Sequence, residues 1–244
     1  MSPYKLIDAL YYRKILAWSV HAFTATGAVW GLMSILAILE HDWKMVFIWI
    51  AIAMLVDGID GTLARRFDTH VYAKGVDGAL MDNIIDYLNF VVVPVFMFLE
   101  AGLLPVALAL PTVAAILMAS AYQFSQTDAK TEDHFFKGFP SYWNILALYL
   151  FLLSKNPWVN FALVMLCLVL VFIPVKYIYP SRSRNRKLHQ GILYVWGISG
   201  FIAMMQYPDV PLWVIWVSLS VVAFYIASSL AATLHRAHPE SPID

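Results

Sequence analysis

Two consecutive apolar runs decide how this chain folds: WKMVFIWIAIAMLVDGIDGTLARR at residues 43–66 and GALMDNIIDYLNFVVVPVFMFL at residues 78–99. Each has the roughly 20 residues that carry a helix across a bilayer. Each also holds two aspartates at the end facing the short connection between them. Asp57 and Asp60 are spaced i,i+3 and Asp82 and Asp86 i,i+4, so each pair projects from one face of its helix. The first run ends and the second begins on the same side, which brings the two pairs to one depth. An aspartate at the bilayer centre costs about 2.5–3.5 kcal/mol, so these acids need compensation. Four carboxylates in a partly desolvated site repel one another and hold on to protons unless cations intervene. Arg65 and Arg66 are the nearest fixed cations. An all-oxygen ligand set suits a hard divalent ion such as Mg²⁺ or Mn²⁺, and four carboxylates suffice for two ions.

Outward from this pair the chain is apolar nearly throughout. Of 244 residues 61% are hydrophobic and 13% charged, about half the charge of a soluble domain, which excludes a soluble globular fold. Residues 1–16 mix Lys5, Asp8, Arg13 and Lys14 with Leu6, Ile7, Leu10, Tyr11 and Ile15, the composition of an interfacial amphipathic helix. The next run, 17–39, is too long for a signal peptide's apolar core and is expected to be a retained crossing. Further crossings are expected at 43–64, 79–99, 104–124, 142–153, 158–178, 191–205 and 212–234. The fifth is short and needs Phe139 and Pro140 to approach full length, which leaves seven crossings and one half-buried segment as the alternative to eight. The expectation is therefore an all-α integral membrane protein with one transmembrane catalytic domain, 17–236, between the interfacial helix and a polar tail, 237–244.

Net charge is zero, so only the placement of charge informs. With eight crossings, fourteen of the sixteen Lys and Arg residues fall in the termini and the loops on one side, and only Lys44 and Lys155 on the other. The positive-inside rule then puts both termini in the cytoplasm. No nucleic-acid partner is expected. A single cysteine, Cys167, excludes a disulfide framework, a zinc cluster and a thiol redox pair.

Small residues surround the acids: Gly58, Gly61, Ala64, Gly75, Gly78 and Ala79. They let phosphates approach the backbone, and they equally serve helix packing in membranes. In order, the stretch reads Asp57-Gly-Ile-Asp60-Gly61-Thr-Leu-Ala64-Arg65, twelve residues, then Gly78-Ala-Leu-Met-Asp82-Asn-Ile-Ile-Asp86. This resembles the CDP-alcohol phosphatidyltransferase signature, D-x-x-D-G-x-x-A-R, a spacer, then G-x-x-x-D-x-x-x-D. The spacer departs from the usual eight residues, and the four extra ones either add a helical turn or lengthen the loop. The long spacer, Asp82-Asn83 and Asp86-Tyr87 are similar to the bacterial phosphatidylcholine synthase branch. So are Ala129-Lys130-Thr131, Asp133-His134-Phe135-Phe136 and Gly138-Phe139-Pro140-Ser141-Tyr142-Trp143-Asn144.

The resemblance implies transfer of the phosphatidyl group of CDP-diacylglycerol to choline with release of CMP, dependent on Mn²⁺ or Mg²⁺, two ions per site, in a bacterial inner membrane. It allows a homodimer. Asp57, Asp60, Asp82 and Asp86 would hold the metal, and Asp86 would also be the general base. Arg65 would contact phosphate, with Gly61, Ala64 and Gly78 leaving room for the nucleotide. The helix-1 motif N-x-x-T, which lies near the nucleotide in many members, corresponds to His21-Ala-Phe-Thr24, with histidine in place of asparagine and the threonine kept, so Thr24 would join the CDP-diacylglycerol-binding residues.

Choline's quaternary ammonium offers no N–H to hydrogen-bond, so aromatic faces are its usual partners. Tyr87, Tyr122, Tyr142 and Trp143 lie near the expected cytoplasmic ends of helices 3 to 5, although tyrosine and tryptophan populate membrane interfaces in any case. Two other functions stay open. Another acceptor, serine, inositol or glycerol phosphate, would leave the signature unchanged. A transporter would also place aspartates within the membrane, but near the midplane and between related repeats, which this sequence lacks.

Overall fold

The structure, a computed structural model, describes residues 3–128, 135–153, 156–178 and 186–235. The segment with Lys130, Thr131, Asp133 and His134, the pair containing Lys155, the loop with Arg182 and Arg184, and the tail from Arg236 lie outside the described residues. The chain divides into two units, Met1–Gly102 with Trp143–Leu152, and Leu103–Tyr142 with Leu153–Asp244.

The first unit opens with α1, Pro3–Leu39. The interfacial segment and the first crossing expected from the sequence are thus one uninterrupted helix, because no glycine or proline separates them. At 1.5 Å per residue it spans about 55 Å, well beyond the hydrocarbon core. Its buried stripe is mostly small, Ala17, Val20, Thr24, Gly27, Gly31, Ser34 and Ala37, with His21 and Ile38 as its larger members. Its large side chains, Val29, Leu32 and Leu36, point outward. In lipid, burying large apolar groups between helices gains little, and small residues gain close approach instead. A Cβ on Gly27 would lie 2.5 Å from Ile85 Cγ2, so only glycine admits this contact.

Helix α2, Trp43–Arg66, starts where the Asp42 carboxylate accepts the Met45 N–H at 3.2 Å and packs along α1, with Trp30 stacked on Trp49. The twelve-residue spacer contains one extra helical turn, α3, Thr69–Tyr72. Arg13 on α1 donates to the Tyr72 hydroxyl at 2.9 Å and sits over its ring. Helix α4, Gly78–Tyr87, begins under Asp77, whose carboxylate accepts from the Ala79 and Leu80 N–H groups, both at 3.0 Å. That cap satisfies two of the helix's free donors and fixes its first residue.

Pro94 then has no N–H to give, and its ring would clash with the carbonyl four residues back. The helix widens into a π-turn, Leu88–Val92, in which Val93 N–H bonds Leu88 O five residues back, and continues as α5, Val93–Glu100. A separate helix of this unit, α7, Trp143–Leu153, packs Phe151 on Trp43 and Phe47. Phe139 and Pro140 are not helical, so α7 stays at about 16 Å, too short to cross unaided.

The second unit contains α6 (Val106–Ser125), β1 (Phe135–Lys137), α8 (Pro157–Phe172), β2 (Lys176–Ile178), α9 (Arg186–Gln206) and α10 (Leu212–His235). Here the crossing expected at 158–178 is shorter: Pro174 stops it, and Lys176–Ile178 turns into a strand antiparallel to Phe135–Lys137. Side chains of α10 cover that strand. Thr233 and Ser229 hydroxyls accept its Lys176 and Ile178 N–H groups, and the Tyr225 hydroxyl donates to Ile178 O. Lys137 bonds Asp128 at 2.6 Å, which holds the Asp128 carboxyl below its ordinary range.

Gly138 joins β1 to the following loop at φ +77°, and a Cβ there would lie 2.4 Å from Val171 O. The left-handed backbone alone costs a non-glycine residue about 1–2 kcal/mol, before the overlap with a backbone oxygen is counted. Gly138→Ala is therefore expected to lower the melting temperature of the detergent-purified protein clearly, and an unchanged melt would contradict this packing.

Five spans are long and apolar enough to cross a membrane: Leu10–Leu39, Trp43–Arg66, Gly78–Glu100, Val106–Ser125 and Leu212–Ala231. With α7, α8 and α9 they correspond to the eight apolar blocks of the sequence. The chain is an all-α multi-pass membrane protein with one small two-stranded pairing.

Candidate active site

The first unit brings the four aspartates into one small cleft, also lined by Thr24 of α1 and Asn89 of the π-turn. Two caps aim them. Asp42 sets the start of α2, and Asp77 sets α4, so that Asp82 and Asp86 face Asp57 on α2. One carboxylate oxygen from each of Asp57, Asp82 and Asp86 lies within 4.8 Å of the other two. Ligands of a six-coordinate ion at 2.0–2.1 Å are about 2.9 Å apart when adjacent and about 4.1 Å apart when opposite, so these half-buried carboxylates would each close by up to about 1 Å to share one cation. The hard, all-oxygen donor set fits Mg²⁺ or Mn²⁺ and excludes a soft-metal centre.

Asp60 lines the same cleft but stands outside that group of three. It is 6% exposed, and its carboxylate accepts from the Thr24 hydroxyl and the Gly61 N–H, with the Arg65 charge nearby. Thr24, the residue retained in the helix-1 motif, thus anchors an acid of the signature. Arg65 is exposed and donates from Nη2 to Thr62 Oγ1 at 3.1 Å. Its Nη1 would be 3.5 Å from a Cβ on Gly61, so that glycine leaves room for the guanidinium. Ala64 is half-buried. Beside Gly78 the space is occupied by the buried His21 ring, whose Cε1 would be 3.0 Å from a Cβ there.

The four aromatic candidates are divided between the two units. Tyr87 is half-buried next to Asp86, and Trp143 has no exposed surface, both in the first unit. In the second, Tyr122 is exposed and stacks on Phe172, while Tyr142 hydrogen-bonds Tyr225. Asn89 was not singled out by its sequence. Its signal was an amide three residues after Asp86, on the same helical face, in an otherwise apolar run.

Comparison with known proteins agrees with this geometry. The family profile "CDP-alcohol phosphatidyltransferase" matches residues 20–174, which include all four aspartates. The chain is 44% identical over 229 residues to the phosphatidylcholine synthase of Legionella pneumophila, covering 90% of this chain and 89% of that protein. It is 39% identical to the phosphatidylcholine synthase of Borreliella burgdorferi over 70% of this chain and 73% of the relative. For that of Pseudomonas aeruginosa the figures are 36% over 82% and 84%. A metal-suited cleft of signature aspartates, on a helical membrane scaffold matched across more than half its length, places this chain in the divalent-metal-dependent CDP-alcohol phosphatidyltransferase family.

Proposed function

We propose that the chain is a phosphatidylcholine synthase, transferring the phosphatidyl group of CDP-diacylglycerol to choline and releasing CMP. The observation that carries this is the cleft of Asp57, Asp82 and Asp86 with Asp60 beside it, in a chain 44% identical to a phosphatidylcholine synthase. The choline oxygen bonds the phosphorus next to diacylglycerol, the bond from that phosphorus to CMP breaks, and the hydroxyl proton passes to Asp86. Mn²⁺ or Mg²⁺, one ion held by the three-carboxylate group and a second involving Asp60, would neutralise charge on the diphosphate. Arg65 adds a fixed positive charge for the phosphates, and Thr24 keeps Asp60 oriented. Gly61 leaves room for the Arg65 guanidinium and Gly78 for the His21 ring, so of the three small residues only Ala64 stays assigned to the nucleotide side. By the asymmetry of Lys and Arg the acids face the cytoplasm of the inner membrane, where both termini also lie.

Choline is the acceptor favoured by the likeness to phosphatidylcholine synthases over most of the chain. For the ammonium, Tyr87 offers a half-buried ring beside Asp86, while the buried Trp143 offers no free face.

Competition tests the acceptor. Purified protein in detergent, given CDP-diacylglycerol, Mn²⁺ and equal choline, serine, inositol and glycerol phosphate, is expected to make phosphatidylcholine as the dominant lipid. The uncharged isostere 3,3-dimethylbutanol is expected to react poorly. A different dominant headgroup would replace the acceptor assignment. Absence of CMP release without a sealed compartment would favour a transporter.

A further inference from the structure

The residue that ties the acidic cleft to its scaffold is Asn89. Its Nδ2 donates to Gly27 O on α1 at 3.0 Å and to Ile85 O, one turn back in its own helix, at 3.1 Å. Its Oδ1 lies 2.9 Å from where a Cβ on Gly31 would be, so α1 is closed against it by two glycines one turn apart. Asn89 stands within the π-turn Leu88–Val92, three residues after Asp86, and lines the cleft.

The π-turn separates two halves of one helix with different duties. After it, Val93, Val95, Met97 and Phe98 are almost wholly buried and fix that half in place. Before it, Asp82 and Asp86 carry the carboxylates. A helix turns about 100° and rises 1.5 Å per residue. If the widened turn slipped by one residue while the buried half stayed fixed, the acids would swing by about that angle away from Asp57. Pro94 accounts for a wide turn; it does not choose the register in which the preceding half is held. The Asn89 amide does, because it bonds both a carbonyl of that half and the neighbouring helix.

We infer that Asn89 is a positioning residue: clamped between Gly27 O and Ile85 O, it sets the register in which Asp82 and Asp86 face Asp57. The inference rests on the cluster holding a divalent ion, as proposed above.

Free Mn²⁺ measured by electron paramagnetic resonance, titrated against purified protein without substrates, reads the site directly. Asn89→Leu, of similar size and without the amide, is expected to weaken Mn²⁺ binding about tenfold or more, the scale for losing a supporting partner of a metal site. Its melting temperature without metal is expected to change little. Asn89→Gln, which keeps the amide, is expected to recover part of the affinity. Should the leucine variant not purify as one species, Asn89→Thr is measured instead. Its hydroxyl can still bond Ile85 O but is too short for Gly27, and a weakening in the same direction is expected. Unchanged Mn²⁺ affinity in the leucine variant, or in the threonine variant used in its place, overturns the inference. So does a melting loss with affinity intact. Asp82→Asn is the control: if it too binds Mn²⁺ like the wild type, the metal assignment of the cluster fails, and not merely the role of Asn89.

Discussion

Asp82→Asn is expected to abolish CMP release, by at least about 10³-fold, in a protein that melts no lower than the wild type in metal-free detergent. The asparagine keeps size and shape but removes one of the three carboxylates within 4.8 Å of one another. Charge neutralisation at a phosphoryl centre contributes several kcal/mol, and every 1.36 kcal/mol is a factor of ten in rate. Stability moves the other way, since removing one negative charge from a crowded acidic group relieves repulsion. Mn²⁺ is expected to raise the wild-type melting temperature, because it binds the folded state alone, and to raise that of Asp82→Asn much less. Asp57→Asn is expected to behave likewise. Asp60→Asn is also expected to be inactive, with a difference in stability: its carboxylate accepts from Thr24 and from Gly61 N–H, so the amide cannot keep both acceptor contacts equally. Near-normal turnover of any of the three in saturating Mn²⁺ would remove that residue from the site.

Much of this cleft was legible because its signal is local and costly. Four acids in two apolar helices cannot be explained by packing, and their spacing alone puts each pair on one face. Eight apolar blocks were legible for the same reason, since length and hydropathy are properties of a single segment. What escaped depends on contacts between distant segments. Thr69–Tyr72 is too short to be stable alone and forms where Arg13 reaches Tyr72 from 59 residues away. The end of α8 at Phe172 could have been placed from Pro174, but Val175, Tyr177 and Ile178 prolong the apolar run, and their strand exists because residues 135–137 pair with it. Asn89 looked like an isolated amide until α1 supplied Gly27 O. The aromatic candidates were grouped by their expected nearness to helix ends, and such a grouping ignores ring partners: Phe172 for Tyr122, Tyr225 for Tyr142.

Asp86→Asn is expected to separate binding from chemistry. Asp86 belongs to the three-carboxylate group, yet a carboxylate has two oxygens, and one can face a cation while the other accepts the proton of an incoming hydroxyl. Asp57 and Asp82 remain in the variant, so an ion and the CDP-diacylglycerol diphosphate still have ligands. A positioned general base contributes about 10²–10⁴ in rate, and turnover is expected to fall within that range with the CDP-diacylglycerol Kd changed only a few-fold. The asparagine oxygen can still accept a hydrogen bond from the choline hydroxyl but is far too weak a base to take its proton at neutral pH, so the choline KM is expected to move little while kcat collapses. Equilibrium binding of a labelled CDP-diacylglycerol beside steady-state CMP release distinguishes the cases. If binding of the nucleotide lipid is lost along with turnover, Asp86 acts chiefly as a metal ligand, and the proton of the acceptor must leave by another group of the cleft.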